Sequence, residues 1–141
     1  MLSKKEGLIS LAMAFDLKGH IKIIPFLSYS IGFNLGKIKH KNITNFIIEI
    51  GNRLGIRFKK YANIRRGVVR LEVNNFRDTL MLLYLLKDFS LRKKEIEETI
   101  RKIKKLELYL KRKRKRFRRI IEEVEEEYEN FKKEVLCLDV K

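Results

Sequence analysis

The spacing of apolar positions changes several times along the chain, and each change marks an element. Positions 7–16 are apolar almost all round, the pattern of a buried helix rather than a surface one. Ser10 and Ala14 lie four apart, so they share a face on which another helix backbone could approach closely. Lys18-Gly19 closes this helix, with Gly19 placed as its C-terminal cap. From His20 the period drops to two: Ile21 and Ile23 face one side, Lys22 the other. Beyond Pro25, Tyr29, Ile31 and Phe33 alternate with Ser28, Ser30 and Gly32. Two strands with one apolar and one polar face are predicted.

A helical period returns at Asn42, which reads as an N-cap. Ile43, Phe46, Ile47, Ile50 and Leu54 form the expected buried stripe, and Gly55 stops the helix. A second pair of strands follows. Ile56 and Phe58 point inward while Arg57, Lys59 and Tyr61 point outward, and positions 63–67 make the turn. On the return strand Val69, Leu71 and Val73 are inward, and Arg70 and Glu72 outward. Asn74 or Asn75 caps a third helix, with Phe76, Leu80, Leu83 and Leu86 buried. The order α-β-β-α-β-β-α predicts an α+β fold: an antiparallel sheet with helices on its inner face and a polar, cationic outer face.

Positions 92–135 contain neither proline nor glycine and are rich in Glu, Lys, Arg and Leu, so a long helix is predicted. Ile96, Ile103, Leu110, Phe117, Val124 and Phe131 recur every seven residues. Their companions are Ile100, Glu107, Arg114, Ile121, Tyr128 and Val135, a heptad seam faulted in the middle by Glu107 and Arg114. A continuous helix of this length would reach about 65 Å, too long to bury itself on so small a domain. It must pair as a coiled coil, fold into a helical hairpin, or project. The expected organisation is a mixed domain over 1–91, a charged helix over 92–136 and a tail over 137–141.

Charge then narrows the function. With 34 Lys+Arg against 18 Asp+Glu, the chain carries a formal net charge of +16. Such a surplus attracts polyanions, nucleic acid before an anionic membrane; a solubilising or heat-adapted surface is the plainer reading. One cysteine, Cys137, argues against a disulfide-built secreted fold and against a cysteine zinc site. No segment approaches a membrane span. The short apolar run before Ala14 is followed by Asp16 and Lys18 rather than a cleavage site, so the protein is expected in the cytoplasm, nucleoid-associated, or in an organelle. His20 and His40 stand isolated.

The stretch Leu11-Ala12-Met13-Ala14-Phe15-Asp16-Leu17-Lys18-Gly19-His20-Ile21 resembles the LAGLIDADG motif of homing endonucleases, with the Gly-x-Ile that opens their first strand. The likeness continues through the helix closing at Leu54-Gly55 and on to about position 91. It implies a saddle-shaped sheet over DNA. A single motif implies a homodimer through the motif helices, with Ser10, Ala12 and Ala14 permitting close contact. Lys22, Ser28, Ser30, Arg57, Lys59, Tyr61, Arg66 and Arg70 would then face the duplex, where a two-stranded ribbon fits the major groove. Lys37, Lys39 and Lys41 would meet phosphates.

The same resemblance places a Mg²⁺-binding acid immediately before the motif glycine, and here Lys18 stands there. An ammonium group cannot ligate a hard cation. Asp16 matches the motif's first aspartate, mostly structural in the family; its direction differs by about 200° around the helix axis. Arg92 or Lys94 would correspond to the family's basic residue near the active site. The implied function is a DNA-binding protein of homing-endonuclease descent with impaired or absent nuclease activity. The alternatives are an active Mg²⁺-dependent endonuclease using Asp16, an intron maturase or other RNA binder, and a coiled-coil adaptor.

Overall fold

The computed structural model describes residues 3–24, 28–37, 41–63, 65–109 and 114–136, without the side chains of residues 24, 28, 37, 41, 106–109, 114, 115 and 136. The element order is α1 (Lys4–Lys18), β1 (Gly19–Ile24), β2 (Ser28–Lys37), α2 (Lys41–Arg53), β3 (Lys59–Asn63), β4 (Val68–Val73), α3 (Phe76–Lys87), α4 (Lys93–Tyr109) and α5 (Arg114–Phe131), closing on a π-helical turn Lys132–Leu136. The expected α-β-β-α-β-β-α order is present. The strands form one antiparallel sheet in the order β1-β2-β4-β3, so β2 and β4 are central and β1 and β3 are edges.

Local chemistry explains the boundaries. Ser3 and Glu6 form a capping box at α1: the Glu6 amide donates to Ser3 Oγ at 3.1 Å, and the Ser3 amide donates to Glu6 Oε1 at 3.0 Å. Asn75, rather than Asn74, caps α3, its side chain accepting from the Asp78 amide at 2.8 Å. Gly55 ends α2 with φ of 77°, the left-handed conformation expected of a stop glycine. Gly19 differs. It caps α1 in an extended conformation, φ −86°, and needs no left-handed backbone. What requires glycine is space: a Cβ there would lie 2.2 Å from the Phe15 ring and 2.6 Å from the Phe15 carbonyl oxygen.

One hydrophobic cluster runs through the protein. It joins Leu8, Leu11 and Phe15 of α1, Ile31 and Phe33 of β2, Leu71 and Val73 of β4, α3, and the seam of α4 and α5. The third helix is not the one-sided stripe that its period suggests. Every residue from Asp78 to Leu86 is buried, because α3 lies between the sheet and α1 on one side and α4 and α5 on the other. α2 is the opposite case. Ile47 and Ile50 are buried, but Ile43 and Phe46, expected beside them, are exposed. The helix also starts at Lys41, so Asn42 lies inside it rather than at its cap.

The C-terminal region is a helical hairpin, and no continuous projecting coiled coil forms. α4 ends at Tyr109 and α5 begins at Arg114. The seam residues Ile96, Ile100, Ile103, Ile121, Val124 and Tyr128 are buried against the chain's own α3 rather than offered to another chain. Glu107 and Arg114, the two polar faults in the heptad, lie near the end of α4 and at the start of α5, where the apolar seam is interrupted. Tyr84 stacks near Tyr128 with ring centroids 5.2 Å apart, and Lys104 bridges to Glu125 at 3.0 Å, locking the three helices together. No helix among the described residues is long and apolar enough to cross a membrane.

Candidate nucleic-acid interface

Register places the side chains of the outer sheet face in rows. Asn34, Arg70 and Tyr61 are directly opposite one another across β2, β4 and β3. The next row runs His20, Gly32, Glu72 and Lys59, and Lys22 faces Ser30 beyond it. Because opposed residues in an antiparallel ladder share a face, the strand cations Lys22, Lys59 and Arg70 stand on one surface with Tyr61. All four are exposed. Asn63 Oδ1 accepts from the Arg66 amide at 3.2 Å, shaping the β3–β4 turn, and Gly67 completes it with φ of 64°. Arg66 and Arg70, with Asn34, Gly36, Tyr61, Asn63 and Val68, line an open groove of about 470 Å³ at that end of the sheet.

Several expected site residues differ from their prediction. Ser30 is on the outer face by register yet only 4% exposed, since a short side chain on a central strand is closed over by longer neighbours. Arg57 is exposed but precedes β3. Lys39 lies outside the described residues, as do the side chains of Ser28, Lys37 and Lys41. His20 is half-buried; its ring covers Gly32 so closely that a Cβ there would meet it at 2.4 Å, and its Nδ1 is buried without a partner.

On α1, Ala12 is 0% exposed and packs into the core of this chain, so it offers no surface to a second one. The free face is instead a stripe of Ile9, Met13 and Leu17, with Met13 62% and Leu17 79% exposed, flanked by half-buried Ser10 and Ala14. Spacing of i, i+4, i+8 makes this one continuous apolar ridge.

At the C-terminal end of α1, Lys18 is exposed and Asp16 is engaged. Ser90 Oγ donates to one Asp16 oxygen, and the Leu91 amide donates to the other at 2.9 Å. Arg92 completes the clasp. Its guanidinium lies 4.4 Å from the Phe15 ring centroid and donates to the carbonyls of Gly19 (2.7 Å) and Phe15 (3.2 Å). It also grips Glu95 with two bonds of 2.8 Å. The hydrogen bond from Arg92 holds the Glu95 carboxyl below its ordinary value, and the bond to Glu95 raises Arg92. Arg92 is therefore a structural cap on α1. Sequence reasoning had no signal for this clasp, because its partners are more than 70 positions apart.

These groups do not fit a Mg²⁺ centre. Lys18 supplies an ammonium, both Asp16 oxygens already accept hydrogen bonds, and among the described residues no three His, Cys, Asp or Glu side chains gather to hold a metal.

The arrangement matches solved structures. The homing endonuclease I-CvuI in complex with an I-CreI target superposes with a TM-score of 0.56 at 17% identity, covering 73% of this chain and 69% of that one. I-CvuI bound to its own target gives the same score and coverage at 18% identity. The fold is LAGLIDADG-like. At this identity the likeness establishes architecture alone. No protein-family model and no curated protein matches the sequence.

Proposed function

We propose that this chain is a DNA-binding member of the LAGLIDADG homing endonuclease family that grips duplex DNA as a homodimer and does not cleave it through a motif-bound Mg²⁺ ion. The observation that carries this reading is the outer sheet face: Lys22, Lys59, Arg70 and Tyr61 on one surface, with Arg66 at the turn and an overall charge of +16. A two-stranded antiparallel ribbon of such a sheet fits the major groove, where base edges differ, while turn and flanking cations meet phosphates. Two copies joined along the Ile9–Met13–Leu17 ridge would set two such faces side by side. The DNA complexes of I-CvuI support the choice of duplex DNA over RNA.

Lys18 replaces a ligand with a cation, which attracts phosphate and repels Mg²⁺. Asp16 serves the fold. Binding to random-sequence duplex, followed against salt, tests the reading. Affinity should fall by roughly 10³-fold or more between about 50 and about 200 mM salt for some six phosphate contacts. Absence of binding refutes DNA binding, and salt-insensitive binding refutes a grip through phosphate-contacting cations. Metal-dependent cleavage of a bound duplex refutes the non-catalytic part.

A further inference from the structure

The outer face carries one arginine flanked by two neighbours, one of which is itself held by a third. Arg70 Nε lies 3.1 Å from Glu72 Oε2 in an ion pair. The guanidinium lies over the Tyr61 ring, 5.1 Å from its centroid. The Tyr61 hydroxyl in turn accepts from Asn74 Nδ2 at 3.2 Å. These contacts link β4, β3 and the residue after β4, and none is needed for the core: the Arg70 side chain is 48% exposed and Tyr61 is exposed.

The chemistry of this cluster is more specific than positive charge. A carboxylate beside an arginine on a face that binds polyanions weakens general attraction, so Glu72 is costly if affinity alone matters. What it supplies is orientation. With Glu72 paired beside Nε and the Tyr61 ring beneath the guanidinium, the two terminal nitrogens remain as an open fork. A fixed fork of two N–H donors matches the O6 and N7 acceptors of guanine on the major-groove edge, the commonest specific arginine contact. Arg70 stands on a central strand beside Asn34, over the part of the sheet that would face base edges. Arg66, on the turn, has the peripheral position that suits phosphate.

Building on the DNA-binding reading above, we infer that Arg70 is a guanine-reading residue and that Glu72, with Tyr61 and Asn74, positions it, so that each half of the target holds a guanine at a fixed place. Glu72 touches no base; it trades affinity for selectivity.

Selection of the full-length chain against fully randomised duplex DNA tests this. The wild type should enrich a site with one strongly preferred guanine per half. Replacing that guanine should weaken binding by about ten-fold to a hundred-fold. Arg70→Lys keeps the charge and loses the fork: binding to random duplex and its salt slope should hold, while the guanine preference collapses. Glu72→Ala should bind random duplex at least as tightly as the wild type and discriminate less. An unchanged preferred sequence in Arg70→Lys, or unchanged discrimination in Glu72→Ala, overturns the inference while leaving DNA binding intact. So does a wild type that binds duplex in a salt-dependent way without preferring guanine. A wild type that retains no duplex defeats both readings.

Discussion

Replacing Asp16 by alanine separates a fold-bearing carboxylate from a catalytic one. The change deletes two hydrogen bonds to a charged acceptor, from Ser90 Oγ and the Leu91 amide. Bonds to charged groups contribute about 1.5–3 kcal/mol each when fully desolvated. The two donors differ in what replaces the lost partner. Leu91 is exposed, so water reaches its amide and recovers much of the loss. Ser90 is buried, and its hydroxyl also accepts from the Arg92 amide at 2.9 Å, so its loss is felt more fully. A total of about 2–4 kcal/mol follows. For a chain of this size that lowers Tm by roughly 5–12 °C. The assay is thermal and urea unfolding of Asp16→Ala, Ser90→Ala and the double variant. The shared bond should give a coupling energy of about 1 kcal/mol or more. A cost below about 0.5 kcal/mol, strict additivity, or a stabilised Asp16→Ala would show that the carboxylate is kept for chemistry, as replaced catalytic residues often show.

Other expectations follow from single features. Gly19→Ala should destabilise more than Gly67→Ala in chemical unfolding: the first drives a Cβ into Phe15, whereas the second costs about 1 kcal/mol for a left-handed backbone in open space. Met13→Asp places a charge on the α1 ridge, and sedimentation should show monomers with unchanged circular dichroism where the wild type shows dimers; dimers surviving in the variant would move the interface elsewhere. Burial first, then the hydrogen bond to Asp88, raises the Tyr128 hydroxyl above its ordinary value of 10.0. The folded state thus holds this proton more tightly than the unfolded chain, so stability is full below about pH 10 and declines above it. Tyr128→Phe should flatten that decline. Glu95 runs the other way: its lowered value means stability present above about pH 4.5 and lost on acidification. Glu95→Gln should blunt the acid arm in the same titration of unfolding.

Periodicity carried the sequence reading where burial is one-sided. The alternation of Tyr29, Ile31 and Phe33, and of Val69, Leu71 and Val73, gave the strands, their inner faces and, by difference, Lys22, Lys59 and Arg70 outside. It failed where burial depends on neighbours distant in sequence. Ser30 and Ala12 are small, and small side chains vanish beneath larger ones that no local period identifies. Ile43 and Phe46 fit the helical stripe of α2 but overhang the core at its N-terminal end. Glu107 and Arg114 marked the hairpin break, yet a faulted heptad reads equally as a strained coiled coil until α3 is seen covering the seam. Alternation put Glu72 outward without naming its partner, because Arg70 could have turned toward Asn34, Tyr61 or solvent. The clasp of Asp16 by Ser90 and Leu91, and of the end of α1 by Arg92, is a matter of tertiary geometry alone.

The enclosure of α3 has a practical consequence for anyone trimming this chain. Ending it after residue 91 would strip the cover from α3 and remove Arg92 from the Phe15 and Gly19 carbonyls that it caps. The product would be a sticky remnant rather than a smaller folded domain. The terminal hairpin is the closing half of the interior, and any minimal fragment has to run through α5.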